Sequence, residues 1–205
     1  MAYYKDKRQA NRGQPLETFI RFANERYRRH GIAVISKQAT EFIPLRDNTG
    51  KIANVKVETK STVDFLGRYK QYPIAIEAKN TNSGSIRFDA IQPHQADYMD
   101  LFTEQAGTIG LVVVSFNFDN FYAIPWVFWQ AAYNARVRNN PKSRSAPSRE
   151  STVTANAFGQ CWDIPKKLSV RMEELNPLWK VSSQHNRFGL HYLEHAEKYI
   201  TPMQP

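Results

Sequence analysis

Residues 61–79 read STVDFLGRYKQYPIAIEAK, and this stretch decides the fold. Its two ends, 61–66 and 74–79, are short runs of β-branched and apolar residues, which predicts two β-strands. A polar loop around Gly67–Pro73 would join them. Because side chains alternate between the faces of a strand, each strand would carry its polar residues on one face and its apolar residues on the other.

The two polar faces carry residues that suit chemistry on a phosphodiester. Thr62 and Asp64 share a face of the first strand, and Glu77 and Lys79 share a face of the second. If the strands pair, Asp64 and Glu77 approach one another, with Lys79 one pleat beyond. Two carboxylates held together repel each other unless a cation lies between them, and oxygen ligands suit Mg²⁺ or Mn²⁺. A lysine beside that site could hold an attacking water or stabilise growing negative charge.

The alternative for these residues is an ion pair on a solvated sheet face. Two features favour the site instead. Glu77 and Lys79 stand in an apolar segment, IAIEAK, where a solvated face would carry more polar residues. The same strand lies between others in the predicted order, which indicates a central position in the sheet.

The flanking sequence predicts an α/β fold with a mixed central sheet and helices on its faces. A helix opens at residue 13 and ends at Gly31. The next predicted elements are a strand at 32–35 and a basic hairpin at 41–60. A helix follows, on which His94, Tyr98, Leu101, Phe102 and Gln105 share a face. Then come a strand buried on both faces at 109–116, another strand at 121–124, and a helix from Pro125 that carries Trp126, Trp129, Ala132 and Tyr133.

The composition excludes several classes of protein. Of 205 residues, 41% are hydrophobic and 13% aromatic, so the chain can bury a core and is not wholly disordered. A single cysteine excludes a disulfide framework. The longest apolar run, 110–114, is far below the ~20 residues of a membrane helix, and the first residues are polar and basic rather than a secretory signal. We therefore expect a cytoplasmic protein without a membrane partner.

The charge balance indicates a polyanionic partner. Lys and Arg number 28 against 19 Asp and Glu, a formal net charge of +9. Such an excess favours nucleic acid, although a merely soluble basic protein remains the alternative. We expect four regions: a basic arm at 1–12, a core at 13–135 that includes the hairpin 41–60, a basic linker at 136–151, and a C-terminal extension of unknown role at 152–205.

Taken together, the motifs resemble the RecU family of Holliday junction resolvases, within the PD-(D/E)xK nuclease superfamily. The resemblance covers roughly residues 13–130. It rests on the order and spacing of Gly13-x-x-Leu16-Glu17, Ile32-Ala33-Val34-Ile35, Ser61-Thr62-Val63-Asp64, Ile76-Glu77-Ala78-Lys79 and His94-Gln95. One departure is Val63, which stands where the superfamily name has a proline, and the tail at 152–205 differs from the usual family tail, as in a divergent member that a phage could encode.

The resemblance implies a restriction-endonuclease-like core that cuts four-way DNA junctions in recombination and repair, with Mg²⁺ as cofactor and Mn²⁺ as a substitute. It also implies a homodimer with one active site for each cut strand, and a hairpin 41–60 that projects as a stalk into the junction. The positions that match the family's metal site are Thr62, Asp64, Glu77 and Gln95, and Lys79 matches its transition-state lysine. By itself Gln95 would be read as a helix-surface amide.

Several residues keep two interpretations. Glu17 is either a further catalytic carboxylate aimed at the metal or an acid that is favourable at a helix N-terminus. The predicted DNA contacts are Arg46, Lys51, Lys56 and Lys60 in the hairpin, and Arg68 and Lys70 in the loop after Asp64; a solvated surface is the alternative for both groups. For the whole chain, the alternatives to a resolvase are a non-catalytic protein that binds branched DNA and a general duplex or nicking nuclease of the same fold.

Overall fold

A five-stranded mixed sheet forms the centre of the computed structural model, which describes residues 14–39, 41–59, 62–138, 152–153, 162–183 and 187–200. The strand order is β1 (Ala33–Lys37), β4 (Phe65–Tyr69), β5 (Tyr72–Thr81), β7 (Ile109–Phe116) and β8 (Asn120–Pro125). β5 pairs parallel with β7, and the other neighbours pair antiparallel. The predicted mixed sheet and the central position of the IAIEAK strand are therefore confirmed.

Helices cover the sheet. α1 (Gln14–Arg29) buries one stripe at helical spacing, formed by Leu16, Ile20, Ala23 and Tyr27, and packs against β1. α2 (Pro93–Thr103) and α3 (Trp126–Tyr133) both approach β7 closely at Gly110. A Cβ atom there would lie 2.6 Å from the Thr103 side chain and 2.9 Å from that of Trp126, so glycine is required for this packing.

Most predicted elements agree with the structure, and the largest error concerns the strand that holds Asp64. That strand was expected at 61–66, but β4 begins at Phe65, and the loop expected at Gly67–Pro73 is a two-residue turn between Tyr69 and Tyr72. The loop prediction is wrong because Pro73 is compatible with a strand at this position. Pro73 stands opposite Arg68 at a position where β4 directs its hydrogen bonds toward β1, so its missing N–H group leaves no ladder bond unmade.

The face of α2 on which the sequence places Tyr98, Leu101 and Phe102 is not the buried one. Ala96 and Met99 are its buried residues, whereas Leu101 is 65% exposed. Met99 packs toward β7, since its Cε atom would lie 3.3 Å from a Cβ atom at Gly110. The face predicted for α3 is right, since Trp126, Trp129, Ala132 and Tyr133 are all buried.

The predicted hairpin is confirmed as an element separate from the central sheet. β2 (Glu41–Arg46) and β3 (Ile52–Thr59) pair only with each other in the described part of the chain. At the tip, the Asp47 carboxylate accepts hydrogen bonds from the backbone of Thr49 and Lys51, and Gly50 has a φ of 81°. The side chain of Lys56 and all of Lys60 lie outside the described residues.

Much of the C-terminal extension packs onto the core. β11 (Ser169–Arg171) pairs with β6 (Ser85–Arg87), and Trp162, Trp179 and Tyr192 are buried. β10 (Trp162–Asp163) pairs with β9 (Thr152–Val153). The first residues of the expected linker, 136–138, belong to a π-helical turn, Asn134–Arg138, in which Arg136 is buried.

Residues 1–13, 139–151 and 201–205 lie outside the described ranges, and with them the predicted basic arm and most of the predicted linker. No helix in the described ranges combines the length and the apolar character needed to cross a membrane.

Candidate active site

Strand pairing brings Asp64 and Glu77 together, as the sequence predicts. β4 and β5 pair with Phe65 opposite Ile76, so the next position sets Asp64 opposite Glu77. One Asp64 carboxylate oxygen, Oδ2, accepts a hydrogen bond of 2.8 Å from the backbone N–H of Ala78. The backbone oxygen of Asp64 accepts a second bond, from the N–H of Gln38, which fixes the segment just before β4.

Glu77 is the most buried member of the cluster, with 1% of its surface exposed. Its Oε1 atom accepts a hydrogen bond of 2.7 Å from the Gln95 amide and lies 2.7 Å from the Lys79 ammonium. Its Oε2 atom is buried and has no hydrogen-bond partner. Burial raises the pKa of Glu77 from 4.5 to about 7, against the opposing effect of Lys79 and with a further increase caused by Asp64. A cation at Oε2 would remove this conflict.

Lys79 and Gln95 complete the cluster from two different elements. Lys79 follows Glu77 on β5, and Gln95 lies in the first turn of α2. The Lys79 ammonium donates to the Gln95 oxygen at 3.3 Å, and that oxygen also accepts a bond of 3.0 Å from the backbone N–H of Gln92. Gln95 is therefore held by the start of its own helix while its NH₂ group reaches Glu77.

Asp64 lies in a mixed field of charges. Burial raises its pKa most strongly, and the Ala78 N–H and Lys79 act in the opposite direction. Glu17 also raises this pKa and Lys37 lowers it, so both residues lie within electrostatic reach of Asp64. Glu17 forms an ion pair with Lys37. Glu17 thus lies in the first turn of α1 and also close to the site. This position is consistent both with an acid that is favourable at a helix N-terminus and with a carboxylate near the metal.

Lys37 is the site neighbour that sequence reasoning missed. It follows the predicted strand 32–35, and nothing in its local sequence marks it. Its position depends on the pairing of β1 with β4, which sets Lys37 opposite Phe65, next to Asp64. The signal that could have found it is therefore topological rather than local.

The remaining predicted residues are not all gathered at the site. Thr62 is half-buried and lies two positions before Asp64. Arg68 lies in β4 and Lys70 in the turn, at the far end of the β4–β5 hairpin from Asp64, so the expected place in a loop just after Asp64 is wrong. Lys70 forms an ion pair with Glu197. Arg46 and Lys51 are exposed at the tip of the β2–β3 hairpin.

A family model described as "Recombination protein U" (RecU) matches residues 11–156, which include every residue of the site. The chain therefore belongs to the RecU family. Among its relatives, the "Holliday junction resolvase RecU" of Staphylococcus aureus strain JH9 is 33% identical over 129 residues, covering 58% of this chain and 62% of that protein. The protein of the same name from Staphylococcus epidermidis is 30% identical over 138 residues, covering 64% of this chain and 66% of that protein.

The chain thus spans about three fifths of the length of the S. aureus RecU relative that it matches. A solved structure of Hjc, a Holliday junction resolvase of Archaeoglobus fulgidus, matches with a TM-score of 0.36 at 12% identity, covering 54% of this chain and 77% of that one.

The RecU site offers a metal ion two carboxylates rather than three. Among the described residues, no group of three or more His, Cys, Asp or Glu side chains is arranged to hold a metal ion. The third nearby acid, Glu17, is engaged by Lys37. Two hard carboxylate ligands nevertheless fit Mg²⁺, which keeps several waters and uses few protein groups. The buried, unpartnered Oε2 atom of Glu77 supports the same fit.

Proposed function

We propose that this protein is a metal-dependent endonuclease that cuts four-way DNA junctions, with Mg²⁺ as the cofactor and Mn²⁺ as a substitute. One observation carries the proposal. A buried glutamate with a free oxygen stands opposite a second carboxylate in the middle of the sheet, and a lysine lies 2.7 Å from it. Membership of the RecU family, whose relatives are named as Holliday junction resolvases, supports the choice of substrate.

In this proposal Asp64 and Glu77 hold the metal ion, with Thr62 and Gln95 as further oxygen ligands. When bound, the ion would act as a Lewis acid toward a phosphate oxygen and make a water more acidic. For its oxygen to reach the metal, Gln95 would exchange its bonds to Lys79 and to the Gln92 N–H. We assign Glu17 the task of holding Lys37, which sets the field around Asp64.

Lys79 provides the positive charge that the transition state needs. Only 19% of its side chain is exposed, and both of its contacts, Glu77 and Gln95, belong to the site. A metal ion at the Oε2 atom would offset the negative charge of the Glu77 carboxylate and so weaken its hold on the ammonium, which could then act on a phosphate. Because the charge is already in place before the reaction, it stabilises growing negative charge without reorganisation.

DNA binding would draw on a separate set of basic residues. We assign phosphate contacts to Arg46, Lys51, Lys56 and Lys60 in the hairpin and to Arg68 and Lys70 at the far end of β4. Such contacts give affinity and salt dependence without sequence preference. A homodimer in the cytoplasm would place one site on each of two strands of a junction, and sedimentation with a junction of known mass would test that stoichiometry.

The deciding experiment incubates the purified protein with a labelled four-way junction and, separately, with a matched linear duplex, with and without Mg²⁺. We expect junction cleavage that needs the metal and is lost in Asp64→Asn, while junction binding persists. Asp119→Asn is the matched control, because Asp119 is an exposed acid in the β7–β8 turn.

Each other outcome points to a named alternative. Binding without any cleavage by the unaltered protein would favour a non-catalytic junction-binding protein. Equal cleavage of junction and duplex at matched salt would favour a general nuclease. Full activity in Asp64→Asn would reject the assigned site.

A further inference from the structure

The two halves of the proposed site are joined by a connection that needs support. Glu77 and Lys79 lie on β5, Gln95 lies on α2, and residues 82–92 run between them. Gln95 donates to Glu77 from the first turn of α2. The connection ends where α2 begins, so its position affects this hydrogen bond. Its only strand, β6, has no place in the central sheet.

The partner of β6 comes from the C-terminal extension. β11 pairs with it antiparallel, with Val170 opposite Ile86. The ladder continues at both ends: the N–H of Phe88 donates to the oxygen of Leu168 at 3.0 Å, and the N–H of Met172 donates to the oxygen of Gly84 at 2.9 Å. Because hydrogen-bonded pairs alternate along an antiparallel ladder, Val170 also bonds to Ile86, whereas Ser169 directs its N–H away from β6.

Burial reinforces this pairing on one side. Ile86 and Val170 are 4% and 0% exposed. Phe88, directly after β6, is fully buried. Its ring packs edge-on against Trp129 of α3 and Trp162 of the extension, with distances between ring centroids of 5.4 and 6.4 Å. The connection is therefore held between the core helix α3 and the extension.

The part of the extension from residue 157 on, which includes β11, lies beyond the region that the RecU family model matches, which ends at residue 156. We propose that the segment Leu168–Met172 of the extension is a positioning clamp that sets the connection 82–92, and through it Gln95, against Glu77. The inference rests on the proposed function for its catalytic consequence. Its structural consequence, the placement of Gln95, holds for the metal-free protein as well.

The test breaks the ladder at one residue. Val170→Pro removes the N–H group that bonds to Ile86. Ser169→Pro is the matched control, since it places the same residue where no ladder bond is lost. Val181→Ala is the second control: Val181 is 7% exposed and belongs to the same extension, but its backbone bonds to Phe121 of β8, away from the connection.

Three quantities are measured for each variant: the cleavage rate at saturating junction and Mg²⁺, the junction Kd without metal, and the NMR signal of the Gln95 side-chain amide in metal-free protein, assigned with Gln95→Ala. For Val170→Pro we expect a cleavage rate at least ~10-fold lower, because small displacements of reacting groups have effects of this size. We also expect an almost unchanged junction Kd and a shifted Gln95 signal. Both controls should keep the rate and the signal.

Equal effects of Val170→Pro and Ser169→Pro on the rate and the Gln95 signal would overturn the clamp. So would a loss of rate in Val181→Ala as large as that in Val170→Pro when both variants have the same melting temperature, because general destabilisation would then explain the loss. If Val170→Pro does not fold, Val170→Ala replaces it, and we expect a smaller fall in rate and a smaller shift of the Gln95 signal. An unchanged rate together with an unchanged Gln95 signal in that variant would also overturn the clamp. Failure of the proposed function is distinguishable, because the unaltered protein would then not cut while the Gln95 signal still reports the clamp.

Discussion

The site just before β4 and on β5 and the β2–β3 hairpin both carry charged residues, but the first is buried and the second is exposed. At the site, Glu77 is 1% exposed and its neighbours Lys79 and Gln95 are held by bonds to it and to each other. On the hairpin, residues 43–54 are exposed throughout, and even the apolar side chains Ile43, Leu45 and Ile52 are 39%, 45% and 59% exposed.

This difference separates two tasks in physical terms. A buried charge is fixed in place and acts in a medium of low dielectric, so it influences the reaction strongly but costs stability. An exposed charge is screened and mobile, so it contributes to affinity in a salt-dependent way and costs the fold little. We therefore expect changes at the site to alter rate and stability, and changes at the hairpin to alter binding.

Apart from changes to the two carboxylates, the largest expected effect is a fall in the cleavage rate of Lys79→Ala. Removing one fixed charge of this kind typically lowers the rate by ~10²–10³-fold. Junction affinity should change little, because it is spread over many phosphate contacts. Single-turnover cleavage and filter binding measure the two quantities, with Lys180→Ala, an exposed lysine of the extension, as the control. Equal losses of rate and affinity would identify Lys79 as an ordinary phosphate contact.

The next effect concerns binding by the hairpin. Deleting residues 46–51 removes Arg46 and Lys51 from the tip, and the fold should persist because β2 and β3 pair only with each other within the described ranges. Losing two phosphate contacts should reduce the slope of log affinity against log salt by about 2. The preference for a junction over a linear duplex should narrow as well.

A charge-matched control separates position from net charge in this deletion. The double variant Lys166→Ser, Lys167→Ser removes two exposed lysines from the extension instead. The comparison fails if the hairpin deletion folds normally and keeps the full junction preference, since the hairpin would then be a solvated surface element.

A third, smaller effect concerns the stability of the metal-free protein when Glu77 is replaced. The replacement should raise stability although it lowers the cleavage rate. The folded protein holds the pKa of Glu77 near 7, above the ordinary 4.5, so protonation stabilises the fold. The contribution of this group is present below pH 4.5 and is lost as the pH rises through 7. That difference corresponds to roughly 3 kcal/mol at most. Glu77→Gln should therefore raise the melting temperature of metal-free protein at pH 8 while it abolishes cleavage.

Thermal melts of the unaltered protein and Glu77→Gln at pH 5 and pH 8, without divalent metal, check this sign. The advantage of the variant should be larger at pH 8, by several degrees at ~2–4 °C for each kcal/mol. Loss of the partner of Lys79 offsets part of the gain. A variant that melts lower than the unaltered protein at pH 8 would show that the carboxylate is stabilising in this setting.

The sequence predicted what depends on alternation and spacing. The pairing of Asp64 with Glu77, the central position of β5 and the separate hairpin all follow from patterns within single segments. Contacts between distant segments could not be read in that way. The β1–β4 pairing places Lys37 near Asp64, and the β6–β11 pairing joins residues about 85 positions apart in the chain, with no local signal for either. Pro73 misled the loop prediction because the effect of a proline depends on which partner strand its missing N–H would face.

The smallest expected effect compares Arg68 with Lys70, which were assigned to the same DNA-contacting surface. Arg68 is exposed in β4 and has no acidic partner within the described part of the chain. Lys70 is engaged by Glu197, which raises its pKa and competes with a phosphate for its ammonium. Arg68→Ala should therefore reduce the salt slope of junction binding by about 1, and Lys70→Ala by clearly less. Glu197→Gln should increase the contribution of Lys70 by releasing it. Equal slopes for the two single variants, unaffected by Glu197→Gln, would show that the ion pair does not decide which of these residues meets DNA.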